Sequence, residues 1–248
     1  MRAFYFNLKK IILFSIALPF LLTGLAQAGE VKTSPIAVLE LFTSQGCSSC
    51  PVADKLLKKL GEREDIIALA YHVDYWDYIG WKDIFANSEN SNLQRAYSSI
   101  QKTNHIYTPQ LMINGTKDVV GSNTNAIDKI LSNAKLFIPI NIKYDDDYLE
   151  ISISSNKELS EAIIWLVNIK STREVEITRG ENSGKVFTYS NIANERRALT
   201  MWNPKKGVNI KLPFTQILQE DDKGFAIILQ EDFNGLPGRI LGATSYFR

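Results

Sequence analysis

Two apolar runs bracket a helical segment, and that arrangement restricts the fold more than any other feature of the chain. "PIAVLELFTS" (35–44) and "IIALAYHVDY" (66–75) are rich in branched residues and read as buried strands. Between them, "VADKLLKKLGERED" (52–65) has helical spacing. Val52, Leu56, Leu57 and Leu60 share one stripe, Lys55, Lys58 and Lys59 lie on the other side, and Gly61 suits a helix end. Two strands joined through a helix run parallel, because a tight turn joins only antiparallel neighbours. The turn between the first strand and the helix is "SQGCSSCP" (44–51), which holds both cysteines of the 248-residue chain.

Cysteines placed there have a chemical consequence. The thiolate is the nucleophile, and the free N–H groups and positive dipole end of a helix N-terminus favour it. Cys47 is expected just before the first helical turn, exposed and ionised. Cys50 is expected inside that turn and more buried, two residues being the gap that lets it resolve a mixed disulfide on Cys47. Pro51 fits a first turn, where its missing N–H costs nothing. A Cys-x-x-Cys within a βαβ pattern is a redox signature, yet zinc sites and inert bridges use the same spacing. Zinc normally takes four ligands, and the chain offers only Cys47, Cys50, His72 and His105 besides carboxylates.

The N-terminus speaks to compartment. Arg2, Lys9 and Lys10 precede an apolar run from Ile11 to Leu22, and Ala26-Gln27-Ala28 supplies small residues at a cleavage position. That order reads as a secretory signal over 1–28, too short to span a bilayer, and the expected localisation is periplasmic or secreted. Its removal takes the formal charge from +1 to −2. No basic stripe points to nucleic acid, and no second apolar run is long enough to cross a membrane. Outside the cytoplasm disulfides persist, although two close cysteines do not make a disulfide-stapled scaffold.

Residues 76–108 read as an insertion: an aromatic stretch, "WDYIGWKDIFA", then a helix over "SENSNLQRAYSSIQKTN". "TPQLMING" (108–115) reads as a Thr-Pro entry to a short strand ending in an Asn-Gly turn, with a returning strand and a closing helix (123–135). After about residue 136 short alternating segments follow at close intervals, which is all-β patterning of the sandwich type. "RGENSGK" (179–185) lacks Walker spacing and a following helix, so it reads as a β-turn.

On these residues the chain resembles two groups. The broad one is the thioredoxin-like superfamily, with Cys-x-x-Cys-Pro in a βαβ unit and a later Thr-Pro. That resemblance implies that Pro109 is cis and helps hold substrate beside the cysteines. It also implies that an acidic residue at the end of the first strand, Glu40, shuttles a proton for the buried cysteine. The narrower resemblance is to the DUF1223 family of exported bacterial proteins. It is carried by Glu40–Asp54, Tyr71–Asp83, Tyr107–Gly115, Arg179–Asn191 and Leu241–Ala243, and implies a redox-active thioredoxin-like part followed by a β-rich part. Ser48-Ser49 between the cysteines, and no Trp before Cys47, depart from ordinary thioredoxin at the positions that tune thiol chemistry.

The expectation is therefore an α/β thioredoxin-like domain over 29–136, with a helical insertion at about 76–108, followed by an all-β, sandwich-like domain over 137–248. The expected function is an exported thiol–disulfide oxidoreductase without cofactor. Cys47, Cys50, Pro109 and Glu40 are its catalytic candidates, and Thr108, Trp76 and Trp81 its substrate-binding candidates. Its partners are a protein or small-molecule thiol or disulfide and an extracytoplasmic redox partner, with neither nucleic acid nor a membrane span. Two alternatives stand beside it: a copper-binding protein using Cys47, Cys50, His72 and His105, since copper favours thiolates, and a binding module whose disulfide is not catalytic.

Overall fold

A computed structural model describes Met1 and residues 29–103, 105–145 and 147–248. The expected signal falls on residues outside these, Met1 apart. The strands are β1 (Glu30–Lys32), β2 (Ala37–Thr43), β3 (Ile66–His72), β4 (Gln110–Ile113), β5 (Lys117–Val120), β6 (Asn141–Tyr144) and β7 (Tyr148–Ile153), followed by β8 (Ala162–Lys170), β9 (Arg173–Ile177), β10 (Lys185–Tyr189), β11 (Ile192–Trp202), β12 (Val208–Pro213), β13 (Asp222–Phe233) and β14 (Leu236–Phe247). The helices are α1 (Cys50–Gly61), α2 (Ser88–Gln101) and α3 (Thr124–Leu131).

The parallel pair is present: β2 and β3 align from Ala37↔Ile66 to Thr43↔His72, with α1 as their connection. Helix α1 buries Cys50, Ala53, Leu57 and Leu60, so its apolar stripe is displaced from the expected one and Val52 is exposed. Its C-terminal end and the loop leading to β3 are held from a distance. The Lys32 ammonium, on β1, donates to the carbonyls of Gly61 (2.6 Å), Arg63 (2.7 Å) and Ile66 (3.2 Å), placing a cation where the helix dipole is negative. Helix α2 is capped by Asn87, whose side chain accepts from the Asn90 N–H. The β4–β5 turn carries positive φ at both Asn114 (50°) and Gly115 (70°). A Cβ at Gly115 would lie 2.4 Å from the Gly238 carbonyl oxygen, so that position requires glycine.

The expectation of an α/β thioredoxin-like domain followed by an all-β domain is not met. Strands dominate, and one mixed nine-stranded sheet, in the order β1-β14-β13-β8-β11-β3-β2-β4-β5, takes strands from both parts of the chain. The junction is β11 on β3: Ile192 pairs with Ala70 in parallel, and the Ala70 N–H donates to the Asn191 carbonyl at 2.7 Å. β3 would otherwise leave an open edge, and a second sheet whose edge fits it removes both liabilities at once.

The two faces of this sheet carry different layers. α1 and α3 cover Leu39, Leu41, Ala68, Ala70, Leu111 and Ile113. On the opposite face Tyr97 of α2 lies among Val38, Phe42, Leu69 and Met112 from one part of the chain and Val167, Ala226, Ile228 and Ile240 from the other. A three-stranded sheet, β12-β7-β6, packs Leu149, Ile151 and Ile153 against Ile164, Leu166, Phe225 and Ile227. The sandwich-like layering thus exists locally, as a flap on a shared sheet. The hairpin β9–β10 forms a separate two-stranded sheet.

Candidate functional site

Cys47 and Cys50 form a disulfide with Cα atoms 5.4 Å apart. Cys50 is the first residue of α1, Ser49 is its N-cap without a side-chain cap bond, and Pro51 follows within the first turn. The chain turns through Cys47 N–H to Ser44 carbonyl (3.2 Å) and Cys50 N–H to Cys47 carbonyl (3.3 Å). Ser48 and Ser49 face solvent, but the cysteines do not: Cys47 is 1% exposed and Cys50 0%. The expected exposure of Cys47 is therefore absent, because segments remote in sequence cover the turn.

One cover is the aromatic insertion. A Cβ at Gly46 would lie 3.2 Å from Ile79 Cδ1 and 3.3 Å from Trp76 Cβ, so these side chains sit directly on the turn. Trp76 Nε1 donates to Thr108 Oγ1 (2.8 Å) and Trp81 Nε1 to Gln45 Oε1 (2.8 Å). The three substrate-binding candidates, Trp76, Trp81 and Thr108, are thus engaged with the protein itself. Tyr78 is the aromatic ring of this stretch that faces solvent, at 82% exposure. The second cover is the β9–β10 turn. Asn182, 1% exposed, donates through Nδ2 to the carbonyls of Gln45 (2.9 Å) and Cys47 (3.0 Å).

The Thr108–Pro109 peptide is cis. Pro109 is buried, and its ring packs at Gly121, where Leu41 and Ala53 also converge. It therefore lies over the first turns of α1.

Glu40 goes elsewhere. Its neighbours Leu39 and Leu41 point to the α1 side, so strand alternation sends Glu40 to the α2 side. There it is fully buried and its Oε2 accepts from the Tyr97 hydroxyl at 2.5 Å. Gln230 Nε2 donates to the same hydroxyl (2.8 Å), and Arg196 Nη2 donates to Gln230 Oε1 (2.7 Å). Burial raises the Glu40 carboxyl, against the pull of Arg196 and the Tyr97 bond. This network ties β2 and α2 to β11 and β13, and it is not where the resemblance placed a proton shuttle.

The acid–base groups on the α1 side are different residues. His72 and Asp83 are both buried, with Nδ1 2.7 Å from Asp83 Oδ2. Asp83 also accepts from the Gln45 N–H (2.8 Å) and the Phe85 N–H (2.9 Å). Burial pushes the His72 imidazole down, but Asp83 and then Asp54 outweigh it and the net direction is up. Asp54, four residues after Cys50 and so on the same helical face, is raised to about 6 by burial, against His72 and the Thr43 hydroxyl. Its Oδ2 and the His72 Nε2 have no hydrogen-bond partner among the described residues. Tyr189 of β10 closes the cluster edge-on to His72 and stays protonated, chiefly through burial and also through Asp54 and Asp83. A cleft of 290 Å³ runs alongside, between Pro51, Asp54, Lys55 and Lys58 of α1 and Val186–Tyr189 of β10.

Asp54 carries a pH signature. Its carboxyl is raised above the ordinary 3.8, so its contribution to stability is complete below that value and is lost as pH rises through about 6. Asp54→Asn is expected to stabilise the protein by about 1–3 kcal/mol above pH 7 and by nothing below pH 4. Urea denaturation at the two pH values checks it, and an equal effect at both would exclude this origin.

The copper ligand set is not assembled. His72 is buried in the Asp83 pair, and exposed His105 places Nδ1 2.7 Å from the Thr103 carbonyl and stacks on Tyr107. Among the described residues, no three or more His, Cys, Asp or Glu are gathered to hold a metal ion. No helix among them is long and apolar enough to cross a membrane. Asn182, Asp83 and Asp54 escaped the sequence reading as site residues. The "RGENSGK" turn was visible as a motif, but nothing local said where it lands.

Comparison with known proteins agrees with this architecture. A crystal structure of protein AGR_C_4864 from Agrobacterium tumefaciens is 31% identical, with a TM-score of 0.77 over 86% of this chain and 95% of that one. HBP35 of Porphyromonas gingivalis shares the fold at 13% identity, with a TM-score of 0.58 over 86% of this chain and 74% of that one. No curated protein matches. The model of DUF1223, a protein family of unknown function, matches residues 38–230, spanning the cysteine turn, both of its covers and the strand junction. The chain therefore belongs to the DUF1223 family.

Proposed function

We propose that this protein is an exported thiol–disulfide oxidoreductase acting through Cys47 and Cys50. The observation that carries the reading is the placement of the Cys47–Cys50 disulfide at the start of α1, with Cys50 as its first residue. The helix N-terminus stabilises a thiolate there. The cis Thr108–Pro109 peptide packs against this helix and the half-buried Asp54 lies on it, as the resemblance to thioredoxin-like proteins led one to expect for the proline.

In the reducing direction the Cys47 thiolate attacks a substrate disulfide, forms the mixed disulfide and releases one substrate thiolate. Cys50, deprotonated, then attacks Cys47 Sγ. The Cys47–Cys50 bond forms, the second substrate thiolate leaves, and two electrons have passed to the substrate. In the oxidising direction a substrate thiolate attacks Cys47 and each step runs backwards. An extracytoplasmic redox partner resets the cysteine pair, and no cofactor enters the cycle. Asp54, one helical turn after Cys50 on α1, is the carboxyl that handles its proton in this reading, since Glu40 lies on the opposite face of the sheet.

The test is a trap. In Cys50→Ser no resolving thiolate exists, so incubation with a disulfide-bonded peptide is expected to leave Cys47 in a long-lived mixed disulfide that reductant releases. Absence of that adduct, with the variant folded and Cys47 free to be alkylated, would sink the proposal.

A further inference from the structure

A thiolate attacks a disulfide by reaching one of its sulfurs, and in this fold neither is accessible: Cys47 is 1% exposed and Cys50 0%. The contact that closes the turn is unusually specific. Asn182 Nδ2 bridges the carbonyls of Gln45 and Cys47, while Asn182 Oδ1 accepts from Lys185 Nζ at 3.1 Å. Both ends of the amide are thus occupied, and its orientation is fixed by its partners. Below it, Gly180 sits on the aromatic insertion: a Cβ there would lie 3.3 Å from the Ile79 carbonyl oxygen and 3.4 Å from Trp81 Cβ. Trp81 in turn holds Gln45.

The element that carries Asn182 is suited to leave. The hairpin β9–β10 shares no ladder with either larger sheet. Its packing rests on a small cluster, Val175, Ile177, Tyr189 and Ile192 with Trp81, Phe85 and Phe187 around them. An isolated hairpin is marginal on its own, and small units with few buried contacts open at lower free energy than the core.

We infer that Asn182 is a positioning residue that latches the β9–β10 hairpin over the cysteine turn, and that opening of this latch exposes Cys47 Sγ to a partner thiolate. This goes beyond the proposed function, since it holds for either direction of electron transfer and for an inert disulfide alike.

The experiment is the rate at which dithiothreitol reduces the Cys47–Cys50 bond in the full, folded chain, read by alkylation of the freed thiols. It is run at several urea concentrations below the unfolding transition, on wild type, Asn182→Ala and Asn182→Asp. The aspartate keeps the shape and the Lys185 contact but cannot donate to the two carbonyls. Losing two buried hydrogen bonds corresponds to a rate increase of about tenfold in both variants. The wild-type rate is expected to rise with urea far less steeply than the global unfolding constant does. Variant rates within twofold of wild type would overturn the latch. So would a wild-type rate that follows global unfolding, and this second measurement needs no variant to fold. Neither result bears on the Cys50→Ser trap, so failure of the latch and failure of the proposed function are separately readable.

Discussion

Replacing Cys47 by serine is expected to reduce thiol–disulfide exchange by on the order of 100-fold or more, to the level of the uncatalysed reaction. A serine hydroxyl neither ionises at neutral pH nor forms a bond that a thiolate can reverse. The remaining thiol, Cys50, is held within the first turn of α1 and fully buried, and does not substitute as the attacking group. The fold is expected to survive, because the bond closes a loop of a few residues and contributes only about 2 kcal/mol in the chain-entropy model. Cys50→Ser removes the same bond and is therefore the stability control for Cys47→Ser. Exchange rates with a disulfide-bonded peptide, beside urea midpoints for both variants, give the comparison. Equal exchange by wild type and Cys47→Ser would end the oxidoreductase reading and leave a disulfide of another purpose.

Asp83→Ala is expected to cost about 3–5 kcal/mol, the range for removing one partner of a buried ion pair. Asp83 is 2% exposed and serves three donors: His72 Nδ1, the Gln45 N–H and the Phe85 N–H. Alanine satisfies none of them, so a buried imidazole and two backbone N–H groups lose their acceptor. The loss has a pH profile. His72 is raised above the ordinary 6.5, first against its own burial and by virtue of Asp83, then Asp54. Its stabilising contribution is complete below 6.5 and is lost as pH rises through the folded-state value. The groups that face it are Asp83 and the Phe85 ring from the insertion, Asp54 from α1 and the Tyr189 ring from β10. The destabilisation by Asp83→Ala is therefore expected to be larger at pH 6 than at pH 9, by urea midpoint at unchanged slope. The same variant releases the Gln45 N–H, which anchors the cysteine turn. A cost below about 1 kcal/mol at pH 6 would overturn the reading of Asp83 as the buried acceptor for these three donors.

Much of the neighbourhood of the cysteines was legible from local pattern. Alternation and branching marked β2 and β3, the period of the lysines and leucines marked α1, and Asn114-Gly115 marked a turn whose φ values are indeed positive. Glu40 illustrates the limit. The resemblance placed it at a strand end, whereas it is the central residue of β2, and its role too was assigned by resemblance. Strand alternation, once the helices were placed, put it with Tyr97 and Gln230 on the far face. Asp54 was hidden differently: a carboxylate on a helix beside lysines looks solvated until β3 brings His72 beneath it.

The sequence by itself determined the local units, a βαβ pair with the cysteines at its helix start and a β-rich remainder, because propensity and periodicity act over a few residues. Tertiary structure decided the rest. Ile192 against Ala70 made one sheet where two were expected, and Asn182, 135 residues beyond Cys47, became the cover of the disulfide. Both are long-range choices: an open strand edge and two turn carbonyls with acceptor capacity to spare accept any partner of suitable shape and polarity. Which segment supplies it depends on how the whole chain buries its apolar faces, a property no short window of sequence contains.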